Sequence, residues 1–236
     1  MSITQTVATF AGVLAVSFLL SSNARAQAPE DLARQDIQNR INRVIDSTMK
    51  IVGDQASDFN ARIAAINEAR PLELQNFDSV QIATNISRVL QFVDYLTQFR
   101  TADDSLSRML EDSLFVLHEG IPESRDRKTL EAFQESYAAD RKAFNKYVAT
   151  LRKLYSEVLD ALLFMQHANY EVQNNQLQFK SSKDIAEYRK LMKPIDATSK
   201  ELKKASEESR KATQWANKKI AEINGQQTSV PKPVKQ

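Results

Sequence analysis

Two histidines and one close pair of carboxylates are the side chains that come nearest to forming a reactive centre. The histidines are His118 and His167. A carboxylate-bridged di-metal site in a helical protein needs Glu-x-x-His twice, because residues three apart project from one helix face. The positions three before the histidines are Phe115 and Phe164, so that chemistry is excluded. A non-covalent haem takes His with Met or a second His as axial ligands. Met165 lies two residues before His167, which on a helix puts the two on different faces, and only a ligand from another helix would complete the pair. Glu157 and Asp160 have the i,i+3 spacing that a general acid and base on one helix would share. The same spacing recurs on solvated helix faces, and they are assigned to such a face. Gly-x-Ser-x-Gly, a Gly-rich phosphate loop and His-Glu-x-x-His are all missing from the sequence. The chain has no cysteine, which excludes disulfides, thiolate metal sites, covalently attached haem and a lipoprotein anchor. The sequence therefore predicts a protein that is not an enzyme, with no cofactor, no metal site and no catalytic residue.

The elements that carry these residues are set by apolar spacing. From Leu130 onward, Phe133, Tyr137, Asp140, Phe144, Tyr147, Leu151, Leu154, Val158, Ala161, Met165, Ala168 and Val172 follow at alternating gaps of three and four. Such spacing draws a nearly straight seam along a helix, and seams of this kind pack against other helices. Three further seams are visible. One includes Ile63 and Ile66, the second runs from Ile82 to Leu117 with Asp103 on it, and the last contains Ile185, Ile195, Leu202 and Trp215 or Ala216. The predicted fold is all-α, an elongated antiparallel four-helix bundle with coiled-coil-like seams after a cleaved signal peptide. Helices are expected at about 31–70, 79–119, 122–174 and 182–224, forming one domain over 27–225, with 226–236 a disordered tail.

Punctuation supports those limits. Pro71 opens a connection, and Asp78 or Ser79 offers an N-cap. Gly120 and Pro122 close one helix and open the next. Ser181 and Asp184 have capping-box spacing. Gly53 and Pro194 fall inside expected helices, where each predicts a kink or a break. Between Asp196 and Gln214 the only large apolar residue is Leu202, so this stretch is expected to pack lightly or against something outside the chain. Asp103 and Asp140 interrupt seams, either to fix register or because the seam is partly open there. Asn85-Ile86-Ser87 is a formal glycosylation sequon inside an expected helix, where such triplets arise by chance.

Residues 10–20 form an apolar run, and Ala24-Arg25-Ala26 gives the small-x-small pattern of a signal-peptidase site. The run is too short to span a bilayer, which takes about 20 residues. Residues 1–26 are therefore expected to be removed, leaving no transmembrane segment. Cysteine-free export fits a bacterial periplasmic or secreted protein.

Charge is unevenly spread. Residues 180–236 hold 14 basic and 7 acidic side chains, and residues 27–179 hold 17 and 23. A basic last helix against an acidic remainder accounts for this, and so does an anionic partner such as another protein or lipid headgroups. Nucleic acid is not expected, since export removes the chain from it and the aromatics lie on the seams. Lys200, Lys203, Lys204, Arg210, Lys211, Lys218 and Lys219 supply the charge, and Trp215 is the one tryptophan. Together they are the candidate partner surface. The competing placement puts Trp215 in the bundle core with the lysines in water. The expected function is non-enzymatic protein binding or structural support in the cell envelope. The alternatives are a sensor or carrier for a small hydrophobic molecule or haem, and a membrane-acting helical protein.

Overall fold

The computed structural model describes residues 29–119, 125–174 and 176–223. The expected signal peptide, Gly120, Pro122, Gly225 and the tail lie outside the described residues. Four helices dominate: α1 (Pro29–Ala69), α2 (Ser79–Glu119), α3 (Arg125–His167) and α4 (Ser182–Ile223). A 3-10 turn, Leu74–Asn76, lies between α1 and α2, and a hairpin, β1 (Tyr170–Gln173) with β2 (Gln176–Phe179), lies between α3 and α4.

The helix ends have identifiable causes. Arg70 takes a positive φ of 42° just after α1, and the Asn76 side-chain amide donates to the carbonyls of Ala69 and Arg70 at 3.2 and 2.9 Å. Those are among the carbonyls that a helix C-terminus leaves without partners. Asp78 Oδ1 accepts the Gln81 N–H at 2.8 Å and caps α2. Ser181 Oγ accepts the N–H groups of Lys183 and Asp184 at 3.1 and 3.4 Å and caps α4. Neither interior breaker divides its helix. A Cβ added at Gly53 would meet nothing within 4 Å, so no close approach requires glycine there. Pro194 is exposed, and water can replace the hydrogen bond it denies to the Lys190 carbonyl.

The third helix is shorter than its seam. It ends at His167 rather than near residue 174, and the chain continues as the hairpin, where no strand was expected. Tyr170 pairs with Phe179, Val172 with Leu177 and Gln173 with Gln176. Asn174, at φ 50°, starts the tight turn, a conformation asparagine tolerates better than most residues. The hairpin is anchored by aromatic packing. The Tyr170 hydroxyl donates to the Phe77 carbonyl at 2.8 Å, and Phe179 lies 5.1 Å from the Tyr188 ring. Phe77, Ile82 and Met165 form the buried centre of this cluster.

The described residues fall into two compact units. The first comprises residues 54–104 and 142–210, and the second comprises 29–53, 105–119, 125–141 and 211–223. In the first unit all four helices supply one core. Phe59, Ile63 and Ile66 come from α1, Val89, Phe92, Leu96 and Phe99 from α2, Phe144 to Leu162 from α3, and Ile195, Leu202 and Ala205 from α4. Contacts there give the directions. Phe59 meets Phe99 at 4.8 Å and Phe92 meets Tyr155 at 4.9 Å. Phe59 also lies 6.4 Å from Tyr147, and Tyr155 donates to Asn67 Oδ1. Thus α2 runs antiparallel to α1 and α3, while α1 and α3 are parallel. Lys146 pairs with Glu208 and Lys153 with Glu201, so α4 opposes α3. In the second unit Leu106, Leu110 and Leu114 of α2 and Leu130, Phe133 and Tyr137 of α3 are buried, and Ser107 shares a hydrogen bond of 3.4 Å with Tyr137.

Ten of the thirteen seam positions, from Leu130 to Met165, are buried. Asp140 and Ala168 are half-buried, and Val172 is exposed on β1.

Candidate interaction face of α4

The inward face of α4 is built from small side chains. In the first unit it presents Ile195, Thr198, Leu202, Ala205 and Ser209, and in the second Thr213 and Ala216, all buried. Gaps of three and four relate them, the same spacing as a leucine seam. The stretch expected to pack lightly is therefore closed against its own unit, through alanine, serine and threonine. Small residues leave little apolar surface to bury, and polar bonds supplement them. Thr198 Oγ1 donates to Glu157 Oε1 at 3.0 Å, so Glu157 is not the solvated residue its position off the seam suggested. Thr213 Oγ1 donates to Asp140 Oδ1 at 2.5 Å. Asp140 thus interrupts the α3 seam in order to bind α4. Burial raises its carboxyl pKa, and the Thr213 bond partly offsets that. Next to it, burial lowers the Arg141 guanidinium to about 10. Asp103 is only 2% exposed, so the α2 seam is closed at that residue as well.

The outward face carries the candidate residues. In the first unit Lys200, Lys203, Lys204 and Arg210 are exposed, and among the described residues none has an ion-pair partner. The acidic neighbours Glu201 and Glu208 are engaged instead by Lys153 and Lys146 of α3 at 3.2 and 2.6 Å. Exposed pairs of this type add little stability. Their effect here is on pattern, because α3 takes up two of the α4 carboxylates, while Glu207, three residues from Lys204 and four from Lys203, stays exposed.

In the second unit Lys211 and Lys218 are exposed, and Lys218 lies 3.7 Å from Glu222. Lys219 is half-buried, pairs with Glu135 and stands 4.9 Å over the Trp215 ring. Trp215 is 43% exposed, whereas Ala216 is fully buried. The inward position belongs to the alanine, and the placement of Trp215 in the core does not hold.

The remaining candidates for chemistry are separated. His167 is exposed and Met165 is buried. The His118 side chain lies outside the described residues. Among the described residues no three His, Asp or Glu side chains gather as a metal site, and no helix is long and apolar enough to cross a membrane. Asn85 is 1% exposed, so its sequon is closed to a glycan in the folded chain. Comparison with protein-family models, curated proteins and solved structures gives no match.

Proposed function

We propose that this chain is an exported, non-enzymatic helical protein that acts in the periplasm or outside the cell by binding an acidic partner protein through the outward face of α4 in the second unit, around Trp215. The exposure of Trp215 carries the reading. A tryptophan leaves a large apolar area in water when a small residue takes the inward position, and tryptophan is among the residues that most often anchor a protein-binding hot spot. Lys211 and Lys218, exposed in the same unit, supply charge that steers an anionic partner. Export rests on residues 10–20 and Ala24-Arg25-Ala26.

A photo-crosslinking residue at position 215, and another at 211, should capture one defined envelope protein in the native host. The same residue at exposed Arg152 of α3 should not capture it. Lys211→Glu with Lys218→Glu should abolish the adducts. If both positions stay silent, or the reversed chain associates as before, the reading fails. N-terminal sequencing of the native protein should start at Gln27, and a chain that retains Met1 would remove the export step.

A further inference from the structure

A second surface, independent of α4, lies on α2 in the second unit. There Leu106, Leu110 and Leu114 are buried and define the inward face of the helix. The opposite face carries Ser105, Arg108, Met109, Asp112, Phe115 and Val116, all exposed. Steps of three and four connect them, so they form a stripe of the kind that packs on another helix. Met109, Phe115 and Val116 are 51, 61 and 65% exposed. Scattered apolar residues on a surface are ordinary, but these three share one stripe within about two helical turns.

The stripe holds one charge of each sign. Arg108 and Asp112 stand one turn apart at its centre, and neither has an ion-pair partner among the described residues. Glu111 lies to the side of the stripe, toward α3, where its charge acts on the Tyr137 hydroxyl. The pattern is self-complementary in one arrangement. When a second copy of α2 crosses antiparallel with Met109 at the two-fold axis, each Arg108 faces the partner's Asp112 and the two Met109 side chains meet. Each Phe115 then lies over the partner's Ser105, whose small side chain leaves room for the ring. A parallel pairing in register sets Arg108 against Arg108 and Asp112 against Asp112. An antiparallel pairing centred on Asp112 brings the two carboxylates together. Like charges so placed are unfavourable, and charge therefore selects both direction and register.

We propose that the outward face of α2 is a homodimer interface, covered by the same face of a second copy of this chain in a two-fold antiparallel pairing. Burial of methionine, phenylalanine and valine drives the association, and the two reciprocal ion pairs set its register. Three large apolar side chains per copy make a small interface, and a dissociation constant of about 1 μM to 1 mM is expected.

Sedimentation equilibrium of the full chain across that concentration range tests this. The mass should rise from one chain to two and stop there. Phe115→Ser should weaken the dimer about tenfold or more. Arg108→Asp and Asp112→Arg should each leave monomers, because each variant sets like charges face to face. Both positions are exposed, so thermal melts of the two variants should match that of the parent. The double variant exchanges the two charges and should dimerise again. An equimolar mixture of the two single variants should form a dimer with one chain of each, since two aspartates on one chain then face two arginines on the other. A parent chain that stays monomeric at about 1 mM would overturn the proposal. So would an Arg108→Asp chain that associates as tightly as the parent or more tightly, or a mixture of the single variants that stays monomeric.

Discussion

Glu157 shows how a single residue off the seam escapes a periodicity argument. Its spacing puts it outside the apolar stripe of α3, yet it accepts the hydroxyl of fully buried Thr198. Glu157→Ala leaves that hydroxyl without its partner and should cost about 1–3 kcal/mol in urea melts, where an ordinary surface change costs within about 0.5 kcal/mol. Arg152→Ala, exposed on the same helix, is the control. Asp140 makes a second test. Its folded-state pKa is raised by burial, so the native state binds more protons than the unfolded chain between the ordinary aspartate value and the raised one. Stability from this group is complete below the ordinary value and is lost as pH rises through the raised one. Asp140→Asn keeps an acceptor for Thr213 and removes the buried charge. It should therefore raise the urea midpoint at pH 7 and change it less at pH 3. A lower midpoint at pH 7 would show that the charge is compensated by a partner.

At the scale of elements, the long helices were legible because leucine, phenylalanine and valine repeat at helical spacing, and their caps were legible at Asp78 and Ser181. Leu151→Ala and Leu154→Ala, deep in the α3 seam at 4% and 1% exposure, should each cost about 2–5 kcal/mol in chemical melts. The hairpin was not legible because its valine, Val172, falls on the same three-four spacing as the helix before it. A strand four residues long offers too few alternations to compete with that pattern. The informative signal was Asn174-Asn175, two turn-favouring residues between Tyr170–Gln173 and Gln176–Phe179. Asn174→Val should cost about 1–2 kcal/mol at its positive φ. Hydrogen exchange should register the loss within residues 170–179, with the helices keeping their protection. The inward face of α4 was hidden for a different reason. Alanine, serine and threonine score as neutral or polar, so a buried face made of them looks solvated.

Across the whole molecule, all six tyrosines have pKa values raised, with burial the largest cause in each. Tyr147 is pushed up to about 12. In the unfolded chain they ionise near pH ~10, so stability is intact below that value and is lost as pH rises through the raised ones. Arg141, lowered to about 10, acts in the opposite sense, but it is one group against six. The urea midpoint should fall steeply between about pH 10 and 12, and tyrosinate absorbance should appear together with the loss of helical circular dichroism. Ionisation well before unfolding would show the rings to be more accessible than their packing implies. The small-residue face of α4 has a further consequence, for sequence divergence. A leucine seam tolerates exchange with isoleucine or methionine at modest cost, whereas Ala205 and Ala216, 1% and 0% exposed, have no larger substitute that fits. In descendants of a common ancestor, the most slowly changing positions of α4 should be its alanines and the hydroxyls of Thr198 and Thr213. Its one large inward leucine, Leu202, should drift among hydrophobic types.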